Sequence, residues 1–280
     1  TVREVLAHQA GLTPYIIFAE KTMRNGKFKS RFLKSKSSNK FSVPVYKNLY
    51  LNKNFVNKMH RVSKRSEVSE IKKYKYSGLT FLLVPELTKK LGGVDYETFL
   101  KEKIYQPLGA YSIGFNPYKY YPEEQIVPTE YDGFFRKDSI KSWVHDENAA
   151  LMGGVSGNAG LFATANDLGK LMQMYMQMGT YGGHRYISEA TLKEFTRVQY
   201  PENDNKRGLG FDKPLLDNQE RSLRRASPAP EASMDSFGHS GFTGTYVWAD
   251  PVNDMVYIFL SNRVYPTREN GNLYRLNIRP

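Results

Sequence analysis

Apolar residues recur at helical spacing through most of this chain and alternate only near its end. Val2, Val5 and Leu6 fall at i, i+3 and i+4 behind Thr1, a good helix cap, and predict a short helix ending at Gly11. Leu79, Leu82, Leu83, Leu87 and Leu91 predict a second helix that stops at Gly92-Gly93, with Pro85 either bending it or setting its first turn. Tyr96 to Ile104 reads as a third, halted near Pro107-Leu108-Gly109. From Asn166 to Met178 one face carries Leu168, Leu171, Met172, Tyr175 and Met176, with Thr164 or Asn166 as cap, and Ser188 opens a helix that presents Leu192 and Phe195.

The remaining stretches read differently. The aromatic, proline-rich run to about Gly133 has little periodicity and predicts a long loop. Residues 217–236 are polar, contain Ser227-Pro228-Ala229-Pro230, and predict a flexible connector. Then Ser236 to Phe242, Thr245 to Ala249 and Met255 to Ser261 form three strand-like runs joined by tight turns, as consecutive antiparallel hairpins would be. Helices in the middle and a meander at the end predict an α+β architecture. With 280 residues, 40% of them hydrophobic, the chain can bury one large core, and residues 1–280 are expected to form a single domain.

Charge changes this picture locally. Residues 21–75 hold seventeen Lys/Arg against only Glu67 and Glu70, a local +15 that exceeds the whole chain's +12, so the rest is mildly acidic. A basic insertion at about 21–75 is therefore expected, with Lys34-Ser35-Lys36-Ser37-Ser38-Asn39-Lys40 as a solvated loop. The insertion contains no recognition fold for nucleic acid, so no nucleic-acid partner is expected. The chain has no cysteine, which excludes disulfides, thiol catalysis and Cys-ligated metal. No run approaches the roughly 20 apolar residues of a membrane span. The first residues form no signal sequence, and a start at Thr1 already inside a helical pattern predicts upstream sequence.

Five segments carry candidate chemistry: Leu6-Ala7-His8-Gln9-Ala10-Gly11-Leu12, Tyr76-Ser77-Gly78, Gln106-Pro107-Leu108-Gly109, the run Gly157-Asn158-Ala159-Gly160-Leu161-Phe162-Ala163-Thr164 continuing to Asn166-Asp167-Leu168, and Gly238-His239-Ser240-Gly241. In this order they resemble the serine β-lactamase-like, penicillin-binding (DD-peptidase, esterase) superfamily, with Tyr-Ser-Gly where that family has Tyr-x-Asn and His-x-Gly where many members have Lys-Thr-Gly. The run from Tyr76 to Pro280 looks particularly like the C-terminal module that Bacteroidetes fuse behind family-three β-N-acetylglucosaminidases. The resemblance implies an antiparallel sheet flanked by helices plus a mostly helical subdomain, with two N-terminal strands and the nucleophile helix missing.

It also implies acyl transfer on ester, amide or D-amino-acid peptide bonds, in which a Ser attacks a carbonyl, a Lys one turn later shares its proton and a Tyr relays protons. Tyr76 and His239 are the expected catalytic residues, and Ser240, Gly241 and the Phe242 backbone N–H the expected substrate-binding and oxyanion groups. The nucleophile is expected upstream of Thr1. Ser37 to Lys40 and Ser69 to Lys72 have the Ser-x-x-Lys spacing but lie in the basic insertion. His145-Asp146-Glu147 is expected to be structural or at the cleft rim, since three adjacent residues cannot face one ion on a regular element; His8, His60 and His184 are not expected to be catalytic. No cofactor or metal is implied. The implied partner is a small-molecule or muropeptide-like substrate, with no membrane span, fusion to a glycoside hydrolase, and a periplasmic or cell-surface location. Two rivals stand beside this reading: an inactive binding module of the same fold, which Gly78 favours, and anion binding through residues 21–75.

Overall fold

Thr1 caps the first helix as its sequence predicts: its hydroxyl accepts from Glu4 N at 3.2 Å and Glu4 reaches back, so that Val2–Leu6 is a closed helical turn. The helix ends well before Gly11, because His8 takes a left-handed backbone (φ 55°) and turns the chain. The computed structural model describes residues 1–276 and 278; the last positions of the expected 1–280 domain, 277, 279 and 280, lie outside the described residues.

The basic insertion is more than a solvated loop. Strands Leu33–Lys34, Val43–Tyr46 and Leu49–Leu51 form an antiparallel sheet with Leu49–Leu51 in the middle, followed by the helix Asn54–Lys64. Their apolar members Leu33, Val45, Leu51, Phe55 and Met59 are buried in one core with Phe18, Leu79, Leu82, Phe135 and Leu151, while the Lys34 to Lys40 tip stays exposed. The strands are two to four residues long, too short to show periodicity among so many lysines.

Pro85 sets a first turn rather than a bend: a 3₁₀ segment Leu79–Leu83 leads into the helix Val84–Gly92, which Gly93 ends at φ 71°. The helix Tyr96–Leu100 continues as a π-helical turn over Lys101–Tyr105. The helices Ala165–Met176 and Glu189–Thr196 start at the caps Thr164 and Ser188.

The three expected strands are Phe237–Ser240, Tyr246–Asp250 and Met255–Phe259, antiparallel in that order, with His239 opposite Val247. Met172 of the Ala165–Met176 helix packs on Phe237 and Ala249 of this sheet. The 217–236 segment, expected as a flexible connector, is tied down. Buried Asn218 donates to Ala229 O (2.7 Å) and accepts from Ser227 N (2.7 Å), and buried Asp250 accepts from both Ser233 N (2.8 Å) and Ser233 Oγ (2.6 Å). Four hydrogen bonds to buried polar groups fix a stretch whose polarity alone suggests disorder.

Candidate active site

Distant parts of the chain meet at a cavity of about 220 Å³ lined by the side chains of His8, Tyr76, Phe81, Asn158, Arg207 and His239 and by glycine backbone. Fully buried Asn205 draws the first helix in, its amide donating to Ala7 O and Gln9 Oε1, each at 2.9 Å, while Gly210 N donates to Leu6 O at 3.0 Å. The loop carrying Arg207 is stitched to the sheet by paired bonds between Asp212 and Gly238, at 2.8 and 3.0 Å. Only glycine fits at 238, because a Cβ there would collide with Val247 O and the Trp248 ring. Tyr76 is positioned by its neighbours: Lys75 N donates to His8 O (2.9 Å), Ser77 N to His8 Nδ1 (3.2 Å) and Ser77 Oγ to Thr13 O (2.7 Å).

The Tyr76 ring stands 4.2 Å from that of His8 and 6.2 Å from that of His239, centroid to centroid, with the Arg207 guanidinium 5.7 Å above it. Arg207, only 2% exposed, donates to His239 Nε2 at 3.0 Å and lies 3.5 Å from Asp212, which also meets Lys206 at 3.1 Å. His239 Nδ1 donates to Ser240 O at 2.8 Å, so the ring is neutral with its proton on Nδ1. Burial first, and then the Arg207 charge, hold His239 below the usual histidine range, and the same two causes bring His8 down to about 3. Burial raises the Tyr76 phenol while Arg207 opposes the rise, although 49% of the residue remains exposed at the cavity mouth.

His8 gives a pH prediction. Its folded pKa is depressed, so the unfolded chain binds a proton that the folded chain refuses; stability is present above pH 6.5 and falls as pH drops towards 3. His60 and His239 act in the same direction. In urea titrations between pH 6.5 and 5.5, where few carboxyls take up protons, His8→Asn is expected to flatten the stability slope by about 1 kcal/mol per pH unit. Asn tolerates the left-handed backbone at position 8. A slope equal to wild type would mean that His8 is protonated in the folded state.

Of the expected site residues, Tyr76 and His239 line the cavity, whereas Ser240, Gly241 and Phe242 continue past it into the hairpin turn. Phe242 is 58% exposed, with its ring 5.8 Å from that of His145 and the Arg263 guanidinium 5.0 Å over it. A side chain at Gly241 would strike Thr245 Oγ1. Ser37 lies on the exposed loop, while Ser69 bonds Ile71 O (3.0 Å) and Lys72 pairs with Glu4 (2.8 Å) away from the cavity. The His145-Asp146-Glu147 side chains diverge: His145 bonds Glu130, Asp146 caps the Glu147–Leu151 helix, and Glu147 pairs with Arg268 at 3.0 Å. Sequence reasoning missed Arg207 and the place of His8 in the cavity wall. An arginine immediately before Gly208-Leu209-Gly210 was the available signal, since small residues beside a cation suit close backbone packing.

A meander packed on one helix, a helical lobe and a cavity between them define the β-lactamase/transpeptidase-like class of penicillin-recognising folds. The Beta-lactamase family model matches residues 1–278, and the chain belongs to that family. A Salmonella heidelberg protein provisionally named D-alanyl-D-alanine carboxypeptidase is 33% identical over 240 residues, 76% of this chain and 53% of its own length. The chain thus spans about half the length of the curated relatives it matches. A penicillin-binding protein from Bacillus halodurans superposes with a TM-score of 0.58 at 14% identity, over 94% of this chain and 67% of that one. A β-lactamase from Mycobacterium bovis does so with 0.52 at 17% identity, over 100% and 70%. Among the described residues no helix is long and apolar enough to cross a membrane.

Proposed function

We propose that this chain forms one wall of the active site of a serine acyl-transfer hydrolase acting on ester, amide or D-amino-acid peptide bonds, within a single domain of a longer protein that supplies the nucleophile. The observation that carries this reading is the convergence of Tyr76, Arg207 and His239 on one cavity. Acyl transfer needs a group to move the proton from nucleophile to leaving group and donors for the oxyanion. Tyr76 is the proton relay. The Arg207 cation favours any negative charge that develops on its oxygen, and His239, kept neutral, orients along the strand edge with Ser240 and Gly241. The Phe242 backbone N–H donates to the oxyanion. The substrate is a cell-wall peptide and the setting extracytoplasmic, in keeping with the names of the Salmonella relatives.

Gly78 supports a second reading, a binding module of the same fold without chemistry, since no side chain at 78 reaches the cavity. Labelling separates the two. The full-length protein is expected to form a covalent adduct with a fluorophosphonate or a fluorescent penicillin; a folded full-length protein that takes neither label is the binding module.

A further inference from the structure

Beside Gly78 the cavity wall is formed by Asn158; a Cβ built at 78 would stand 3.9 Å from the Asn158 Cβ. The amide of Asn158 is held at both ends. Its Nδ2 donates to Asp146 Oδ1 at 3.2 Å, and its Oδ1 accepts from Ser156 Oγ at 2.6 Å. A carboxylate only accepts, so the Asp146 bond fixes which end is nitrogen. Asp146 is fixed in turn by Ala149 N at 2.7 Å and the Tyr15 hydroxyl at 3.1 Å. These bonds leave one N–H and one oxygen lone pair on Asn158, the complement of a substrate amide, which offers one C=O and one N–H. Among the described residues that line the cavity, Asn158 is the single carboxamide.

We propose that Asn158 reads the amide group of the acyl donor and sets a preference for amide over ester substrates, with Asp146 and Ser156 as its positioning residues. The inference rests on the acyl-transfer reading. An ester offers the C=O but no N–H, so it uses only half of what Asn158 provides, and losing the carboxamide weighs less on an ester than on an amide.

The test uses the full-length protein with butanoyl p-nitroanilide and the matching p-nitrophenyl butanoate, which differ only in the scissile bond and carry no second amide. Asn158→Ala is expected to lower kcat/KM about tenfold on the anilide and less than about threefold on the ester. Gly78 has an ordinary helical backbone (φ −80°, ψ −10°), and a Cβ there would meet only ordinary van der Waals contact, 3.9 Å from the Cβ of residue 158, so a side chain is accommodated. Gly78→Asn in the Asn158→Ala background is expected to recover about threefold or more of the anilide rate, which a merely structural role for Asn158 would not produce. Equal losses on both substrates, or a loss that Gly78→Asn does not relieve, overturn the inference. Wild-type protein that turns over neither substrate overturns the acyl-transfer reading itself, and with it this one.

Discussion

Tyr76→Phe in the full-length protein is expected to slow acylation by roughly 100- to 10,000-fold, the range that a positioned proton-transfer group supplies. The substitution removes one oxygen and keeps the ring. The contacts with His8 at 4.2 Å and Arg207 at 5.7 Å therefore remain, and the folding transition should stay where it is. Stopped-flow acylation by a fluorescent penicillin, followed from pH 6 to 10, is the measurement. Loss of rate at an unchanged melting temperature places the hydroxyl in the proton path. A variant that acylates like the wild type shows that Tyr76 only shapes the wall.

Asp132→Ala is expected to cost on the order of 3–5 kcal/mol of folding free energy in urea unfolding, because it strands a buried guanidinium. The Asp132 and Arg136 side chains are both fully buried, with Arg136 Nε donating to Asp132 Oδ2 at 2.7 Å. Asp132 also accepts from the backbone N–H groups of Phe134, Phe135 and Arg136 at 3.0, 2.8 and 3.0 Å. Burial alone would raise this carboxyl, but the Arg136 charge and those N–H groups hold it below its usual range. The effect reaches the cavity. Arg136 donates to the carbonyls of Val144 and His145, so it anchors the turn leading into the Glu147–Leu151 helix, from whose cap Asp146 holds Asn158. The exposed Lys47–Asp138 pair is the control: Asp138→Ala should cost less than about 1 kcal/mol. A similar small cost for Asp132→Ala would show that the buried pair is dispensable.

The sequence carried more of the fold than of the site. Helix starts at Thr1, Thr164 and Ser188 were legible because a cap and its partner lie three residues apart. The three-strand meander was legible because its turns and alternation are also local. The sheet inside the basic insertion was hidden, since its strands are short and only the shared core shows that Leu33, Val45 and Leu51 point inward. The anchoring of residues 217–236 was hidden too, because Asp250 and Ser233 find each other only after the last hairpin has formed.

The sequence by itself determined the family, through five motifs in order, and singled out Tyr76 and His239 from their places in those motifs. The tertiary structure alone decided what surrounds them. Arg207 reaches His239 across 32 residues, and Asn158 meets Gly78 from a distant turn, because spacing along a chain encodes which face of an element a side chain occupies and not which other element that face will meet. Contact between such faces is chosen by burial of the whole core, which brings the charge of Arg207 to His239 and Tyr76 and the amide of Asn158 beside Gly78, all from distant parts of the sequence.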